Sequence, residues 1–356
     1  MLTFGKKLRL SSALLAVCLI LAIACPGQSA AGETLNLKFS LSYNPKSRPD
    51  APHVRAPLTF KREMEKRLGD KVNIRIYWDN QLAKTYEAAV NALQNGLIHF
   101  TQIPMSTLSE YSQACVPFTD LFLIPYPHTQ IAHNLIDGEL GQMFRNRVSG
   151  ETGLRIVAFW EVGFRHLTSV KKPVHSLEDL KGMKIRVQPN PVHLAAFSEL
   201  GANPTPIAWA ETFTALQQNV VDGAENPFRN IIDARLYEVQ KHISLTGHTF
   251  EFVCFLTSEK FYQGLTEEQR KAWDESLAIA TEEFRELSAK AEKDDYEFLK
   301  EKMELFTMPE AEMVKFRDAV KKSGKIAAAA AGEEYTARVL DIVNKEVESY
   351  LAKQPK

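Results

Sequence analysis

A two-domain α/β fold, joined by several chain passages and spanned by one long helix, is predicted from three observations. The chain has 356 residues, long for one compact core and comfortable for two domains. Beyond the N-terminal leader, its first hundred residues alternate strand and helix patterns, the grammar of an open, parallel sheet. From Thr266 to near Leu305, apolar residues recur at steps of three and four, a stripe long enough to run along two domains. Hydrophobic residues make up 45% of the chain, which supplies a sizeable core and excludes disorder as the main state.

The leader comes first. Lys6, Lys7 and Arg9 precede an uncharged run from Leu10 to Ala24, and small residues close the segment at Ser29, Ala30 and Ala31. This is a signal-peptide pattern over 1–31, too short for the ~20 residues of a membrane span. The mature chain is therefore expected outside the cytoplasm, in the periplasm. Cys25 after Leu21-Ala22-Ile23-Ala24 weakly resembles a lipoprotein cleavage box, which leaves a lipid anchor as the lesser reading. The 43 Lys and Arg nearly balance the 44 Asp and Glu, and three of the bases belong to the leader. A slightly acidic mature chain argues against a nucleic-acid partner.

Alternation marks a strand over 36–42, and a basic amphipathic helix follows over 56–68. A second strand spans 71–77, a second helix 85–95 with Gly96 as its C-terminal cap, and a third strand 97–103. The middle repeats the pattern. One helix is expected over 130–148, then strands over 154–160 and 163–169. A capping box at Ser176-Leu-Glu-Asp179 opens a short turn. A strand over 183–187 and helices over 191–200 and 212–220 follow. A dense apolar strand over 250–256 leads into the long helix, and the Ala327–Ala331 run lies in a tail helix. No linker separates domains, so strand crossings must divide them: 32–162 with 251–290, and 163–250 with 291–356. The stripe of the long helix reads as core, and a monomer is expected rather than a coiled-coil oligomer. Cys115 and Cys254 could pair in an oxidising compartment, but their apolar neighbours favour two buried thiols.

The chemistry of an enzyme is hard to find. The sequence has no GxSxG, HExxH, P-loop or GxGxxG, and therefore no cofactor signature. The nine histidines are scattered, and the spacings of His128 with His133 and of His242 with His248 match no common zinc pattern. Two arginines stand out instead. Arg165 and Arg186 lie in strands that read as buried, and a buried cation needs a partner. No carboxylate stands in an obvious pairing position. A guanidinium fork matches a ligand carboxylate. Asn226 in the DGAENP turn can add a directed hydrogen bond, and Trp209 and Phe213 can wall the site. By spacing alone, structural ion pairs with Glu161 or Glu211 are equally good partners for the arginines.

The text GFRHLTS, LEDLKGMKIRV, LGANPTP, ETFTALQQNVVDGAENP and LYEVQKHISLTGH, in that order, resembles the signature region of DctP-type solute-binding proteins. These are the extracytoplasmic subunits of tripartite ATP-independent periplasmic (TRAP) transporters. The resemblance extends over the mature chain, including QLAKTYEAAVNALQNG. It implies a periplasmic-binding-protein-like fold closing around one organic acid, without a cofactor, and delivery to the TRAP membrane subunits. It assigns Arg186 the main salt bridge to the ligand, Arg165 and Asn226 supporting contacts, and Trp209 the aromatic wall. After QL the chain departs from the common glycine-acid-Arg pattern, with Ala83-Lys84-Thr85-Tyr86-Glu87 in its place. Lys84 or Glu87 could point inward there, and Tyr43 and Gln102 are further candidates at strand ends. The ligand could be a dicarboxylate, a sugar acid or an aromatic acid. Service to a sensor kinase, or a secreted lyase or hydrolase on the same scaffold, are the rival functions.

Overall fold

One mixed sheet carries the whole architecture of the computed structural model, which describes residues 34–320 and 322–354. The expected leader and the Cys25 anchor lie outside the described residues. The first five long elements follow expectation: β1 (Leu35–Ser40), α1 (Pro52–Leu68), β2 (Val72–Tyr77), α2 (Tyr86–Gln94) and β3 (Phe100–Pro104). The Thr85 hydroxyl caps α2 by accepting from the Ala88 amide at 3.1 Å. A short α3 (Met105–Leu108) follows β3.

Three expectations change in the middle of the chain. The single helix over 130–148 is two, α4 (Thr129–Asp137) and α5 (Glu139–Thr152). The corner is tight: a Cβ on Gly141 would lie 1.8 Å from the Ile136 carbonyl oxygen, so only glycine lets the two helices meet there. The two strands over 154–169 are one, β4 (Leu154–Ser169), interrupted by bulges rather than a turn. One bulge falls between Glu161 and Gly163, where Gly163 takes φ +108. After β5 (Lys184–Val187), α6 (Pro191–Glu199) and β6 (Asn203–Pro206), Trp209–Glu211 form a separate turn before α7 (Thr212–Gln217). The helix expected over 212–220 thus stops at Gln217, and Val220 beyond it is half exposed. Next come β7 (Gly223–Pro227), α8 (Phe228–Asp233) and β8 (His242–Ser258), which is buried throughout and far longer than its apolar segment. The chain ends with α9 (Glu259–Gly264), α10 (Glu267–Lys302), β9 (Glu304–Thr307), α11 (Glu310–Ala319), α12 (Ser323–Ala331) and α13 (Glu333–Ala352).

The strand order is β2-β1-β3-β8-β4-β7-β5-β6, with β9 beside β8. The sheet is not purely parallel, as β8 runs antiparallel to β3 and β4, and β4 antiparallel to β7. The two long central strands serve both halves. Val253–Leu256 of β8 pair with β3, whereas His242–Leu245 pair with β9. The Arg165–Ser169 end of β4 pairs with β7. Each half has its own cores. Phe39, Phe60, Phe100, Trp160 and Trp273 fill one layer of the first half, and Leu180, Ile185, Phe197 and Phe316 one layer of the second.

Helix α10 joins the halves. Its Trp273, Leu277, Ala280 and Phe284 enter the first half, and its Leu299 packs with Leu216 and Ile231 of the second. Its 36 residues span ~54 Å at 1.5 Å per residue. The Thr266–Gln269 capping box starts it. Phe284 stacks on Trp160 at 4.9 Å. Phe284→Ala should therefore cost about 3–5 kcal/mol, read as a lower urea midpoint with an unchanged slope. Val339 and Val343 of α13 pack with Ile131 and Phe144, which ties the end of the chain, expected with the second domain, to the first half. Cys115 and Cys254 are free thiols in that same core, as their neighbours implied. No helix among the described residues is long and apolar enough to cross a membrane.

Candidate functional site

A cavity of about 390 Å³ opens at the strand ends between the two halves of the sheet. Seven of the nine candidate residues line it: Tyr43, Glu87, Gln102, Arg165, Arg186, Trp209 and Asn226. Phe213 packs against the core of Leu216 and Ile231 instead, and Lys84 does not line the cavity either. It is exposed, one residue before the Thr85 cap, while Tyr86 and Glu87 in the first turn of α2 face the cavity.

Arg165 does have protein partners, the structural alternative to a ligand, but not the carboxylates weighed for it. Glu161 bonds His133 at 2.6 Å instead, and no ion pair involves Glu211 among the described residues. Arg165 lies opposite Pro227 of β7 and Thr249 of β8, with Glu225 and Glu251 two places along on the same face. Both diagonal neighbours turn their carboxylates to it. Nε pairs with Glu225 Oε2, Nη2 donates to Glu225 Oε1 at 2.9 Å and to its carbonyl at 2.6 Å, and Nη1 lies 3.3 Å from Glu251 Oε2. Burial works against charge on Glu225, but Arg165 and His248 hold its carboxyl well below the ordinary range. Burial pushes Glu251 up, opposed by Arg165 and by two bonds from Ser106.

Arg186 is different. It is 1% exposed and forms no ion pair among the described residues. Nε and Nη2 both donate to the Ile207 carbonyl, at 3.0 and 2.8 Å. Nη1 is buried with no acceptor. Burial lowers its pKa to about 10, with Arg165 adding to the effect. The guanidinium sits 5.8 Å from the Trp209 ring centroid. Arg186 is in register with Ala224 on β7, so it shares a face with Asn226. The Asn226 amide nitrogen is also buried without an acceptor. Two converging donors with nothing to donate to make an anion site, and the planar fork selects a carboxylate.

On the facing wall, the Gln102 amide nitrogen bonds Ser42 Oγ at 2.5 Å and its oxygen is unpaired; the Gln188 oxygen, just past β5 on the Arg186 side, is unpaired too. The Tyr43 ring lies tilted against His53 at 4.5 Å, and burial raises its phenol well above the ordinary value. Tyr86, Glu110, Tyr111, Gln188 and Asn230 also line the cavity and were not anticipated. Tyr86 had a signal, since it stands between the cap and Glu87 in the segment that departs from the family pattern. The others had none.

Behind Arg165 lies a layer of buried histidines. His248 contacts Glu225 at 3.3 Å and Thr246 at 2.7 Å, and His193 contacts the Thr119 carbonyl at 3.0 Å. Burial lowers His193 to about 4 and His166 to about 3. Both are therefore neutral in the fold at pH 7. Below about 6.5 the unfolded chain takes up their protons first. Stability should be full above that pH and fall toward pH 3–4, by up to about 1.4 kcal/mol per pH unit for each histidine. Glu225, depressed in the fold, adds a loss in the same direction below about 4.3. Urea unfolding across pH 4–7.5 checks this, and a flat profile would refute it. No cluster of three or more metal-ligating side chains exists among the described residues.

Comparison with known proteins identifies the family. Residues 44–329 match the family model described as bacterial extracellular solute-binding protein, family 7, DctP. A solute-binding protein of Verminephrobacter eiseniae is 36% identical over 60% of this chain and 63% of its own length. The C4-dicarboxylate-binding periplasmic protein DctP of Rhodobacter capsulatus is 30% identical over 75% of this chain and 77% of its own. The sugar acid binding protein DctPAm of Advenella mimigardefordensis, crystallised with galactonate, superposes with a TM-score of 0.81. It is 27% identical, and the match covers 88% of this chain and 99% of that one. By the family match over residues 44–329 and the relative that is 30% identical over three quarters of both chains, the chain belongs to the DctP family of bacterial extracellular solute-binding proteins.

Proposed function

We propose that this protein captures an organic acid in the cleft outside the cytoplasm and delivers it to the membrane permease of a TRAP transporter. One observation carries the reading: Arg186, a buried cation lining the cavity, has a donor nitrogen without an acceptor and no carboxylate partner among the described residues. Transport relatives named for C4-dicarboxylates and a neighbour holding galactonate support it, as does the leader pattern, which would direct the chain to the periplasm. The ligand is bound and released unchanged.

In this reading Arg186 makes the bidentate contact. Asn226 adds a donor, Trp209 and Tyr43 wall the ligand, and Gln102 and Glu87 meet its far end. Arg165 acts mostly by fixing Glu225, Asn226 and Glu251 around the anchor, since its Nη2 reaches Asn226 Oδ1 at 3.4 Å. The two halves close about the bulge at Glu161–Gly163, where the ladder is already interrupted. Closure excludes water and strengthens the ion pair. The ligand shifts the balance toward the closed form only by its extra affinity for that form.

A thermal-shift screen tests the class. Carboxylates should raise the melting temperature, because a ligand of the native state stabilises it, while amines and neutral sugars should not. A neutral sugar that stabilises the protein when no carboxylate does would sink the proposal.

A further inference from the structure

We infer that the site takes a monocarboxylate whose far end carries hydrogen-bond donors, hydroxyl or ammonium, and that Glu87 and Glu110 turn away a second carboxylate. This rests on Arg186 as the anchor and deepens that reading. The cavity is lined by two arginines, but Arg165 is already matched by Glu225 and Glu251. Among the described residues that line the cavity, one uncommitted cation remains, and it can neutralise one carboxylate.

The opposite wall has the wrong sign for another. Glu87, in the first turn of α2, and Glu110, just after α3, both face the cavity. Neither makes an ion pair among the described residues, and the nearby Lys84 lies outside the cavity. Their charges act on shared surroundings. Burial and then Glu87 raise the Glu110 carboxyl, and burial, Glu110 and Glu87 push Tyr111 up to about 12. Closing the cleft lowers the local dielectric, so a ligand carboxylate brought beside this pair would meet growing repulsion.

The unpaired buried atoms add to this. Arg186 Nη1 and Asn226 Nδ2 are donors suited to the carboxylate. Gln102 Oε1 on the opposite wall, and Gln188 Oε1 just past the anchor's strand, are acceptors, on residues 3% and 7% exposed. Acceptors left unpaired in a closing cleft call for donors on the ligand. A polyhydroxy acid or an ω-amino acid supplies them, and a terminal carboxylate does not.

Matched ligands isolate the far end. Gluconate and glucarate differ only in whether carbon six is an alcohol or a carboxylate, as do galactonate and galactarate, and 6-aminohexanoate and adipate differ as ammonium and carboxylate. Calorimetry on the purified protein should find binding by the monocarboxylate of at least one pair, with its diacid at least 30-fold weaker. In the Glu87→Gln/Glu110→Gln double variant that ratio should fall at least tenfold. A diacid that binds as tightly as its partner in the wild type, a ratio unmoved in the double variant, or binding by no monocarboxylate would each overturn the inference. The amino acid pair and the sugar-acid pairs separate ammonium from hydroxyl as the preferred donor. Arg186→Ala keeps the two readings apart. If a diacid binds and needs Arg186, the anchor stands and the far-end selection falls; if binding survives without Arg186, the anchor itself is wrong.

Discussion

Arg186→Ala is expected to lower ligand affinity by about 2–5 kcal/mol, roughly 30-fold to several thousand-fold, while the protein stays folded. The two halves of that expectation have one cause. Arg186 bears the desolvation cost of burial without an ion pair among the described residues, where its acceptor is the Ile207 carbonyl. Removing it leaves that carbonyl short of a donor, a cost of about 1 kcal/mol, and relieves a buried charge. The unfolding midpoint should therefore hold or rise as binding is lost. Arg186→Lys keeps the charge and loses the fork, so its affinity should fall between the two. Calorimetry with a ligand from the screen and urea unfolding together decide the matter. Unchanged affinity would remove Arg186 from the anchor role, and a large loss of stability would mean that the residue supports the fold.

Glu225→Ala should behave in the opposite way. It strands a fully buried guanidinium with Glu251 alone, at 3.3 Å. Breaking a buried pair from one side costs about 3–5 kcal/mol, a large share of the ~5–15 kcal/mol that holds a typical domain folded. Arg165→Met should be equally costly, because it leaves Glu225 and Glu251 facing each other without a cation. The double replacement Arg165→Met/Glu225→Met removes both members and should recover much of the loss, since apolar residues of similar volume often substitute for a buried pair. A double-mutant cycle in urea measures this coupling. Two single losses that simply add would show that the pair is not the unit.

The contrast between these arginines also marks how far the sequence could be read. Both were recognisable as buried cations, yet nothing local distinguished them. The partner of Arg165 lies 60 residues away, two places along a neighbouring strand. That diagonal becomes visible only once β4 and β7 are known to pair and in what register. Local signals served well wherever the cause was local: the caps at Thr85, Ser176 and Thr266 begin their elements as expected. Fusion of the two middle strands into β4 was hidden because a bulge interrupts the alternation just as a turn would. The polar half of β8, from His242 to Thr249, alternates only as far as Thr246, and its burial on both faces comes from the sheet around it. The far wall of the cleft was least legible. Glu110 and Tyr111 follow a short helix, and only the tertiary fold brings them beside Glu87.

Helix α10 contains neither glycine nor proline across its 36 residues. Kinks need a cause, and this helix lacks the usual two. It therefore behaves as an unbroken strut fastened at both ends, by Trp273 and Phe284 in one half and by Leu299 in the other. A strut of this kind resists changes in the distance between its fastenings and yields more readily to torsion and gentle bowing. The halves are thus steered toward swinging about the strut rather than separating along it. Any elastic energy stored in a bowed helix on closure would be returned on opening, giving the loaded protein a built-in spring toward release.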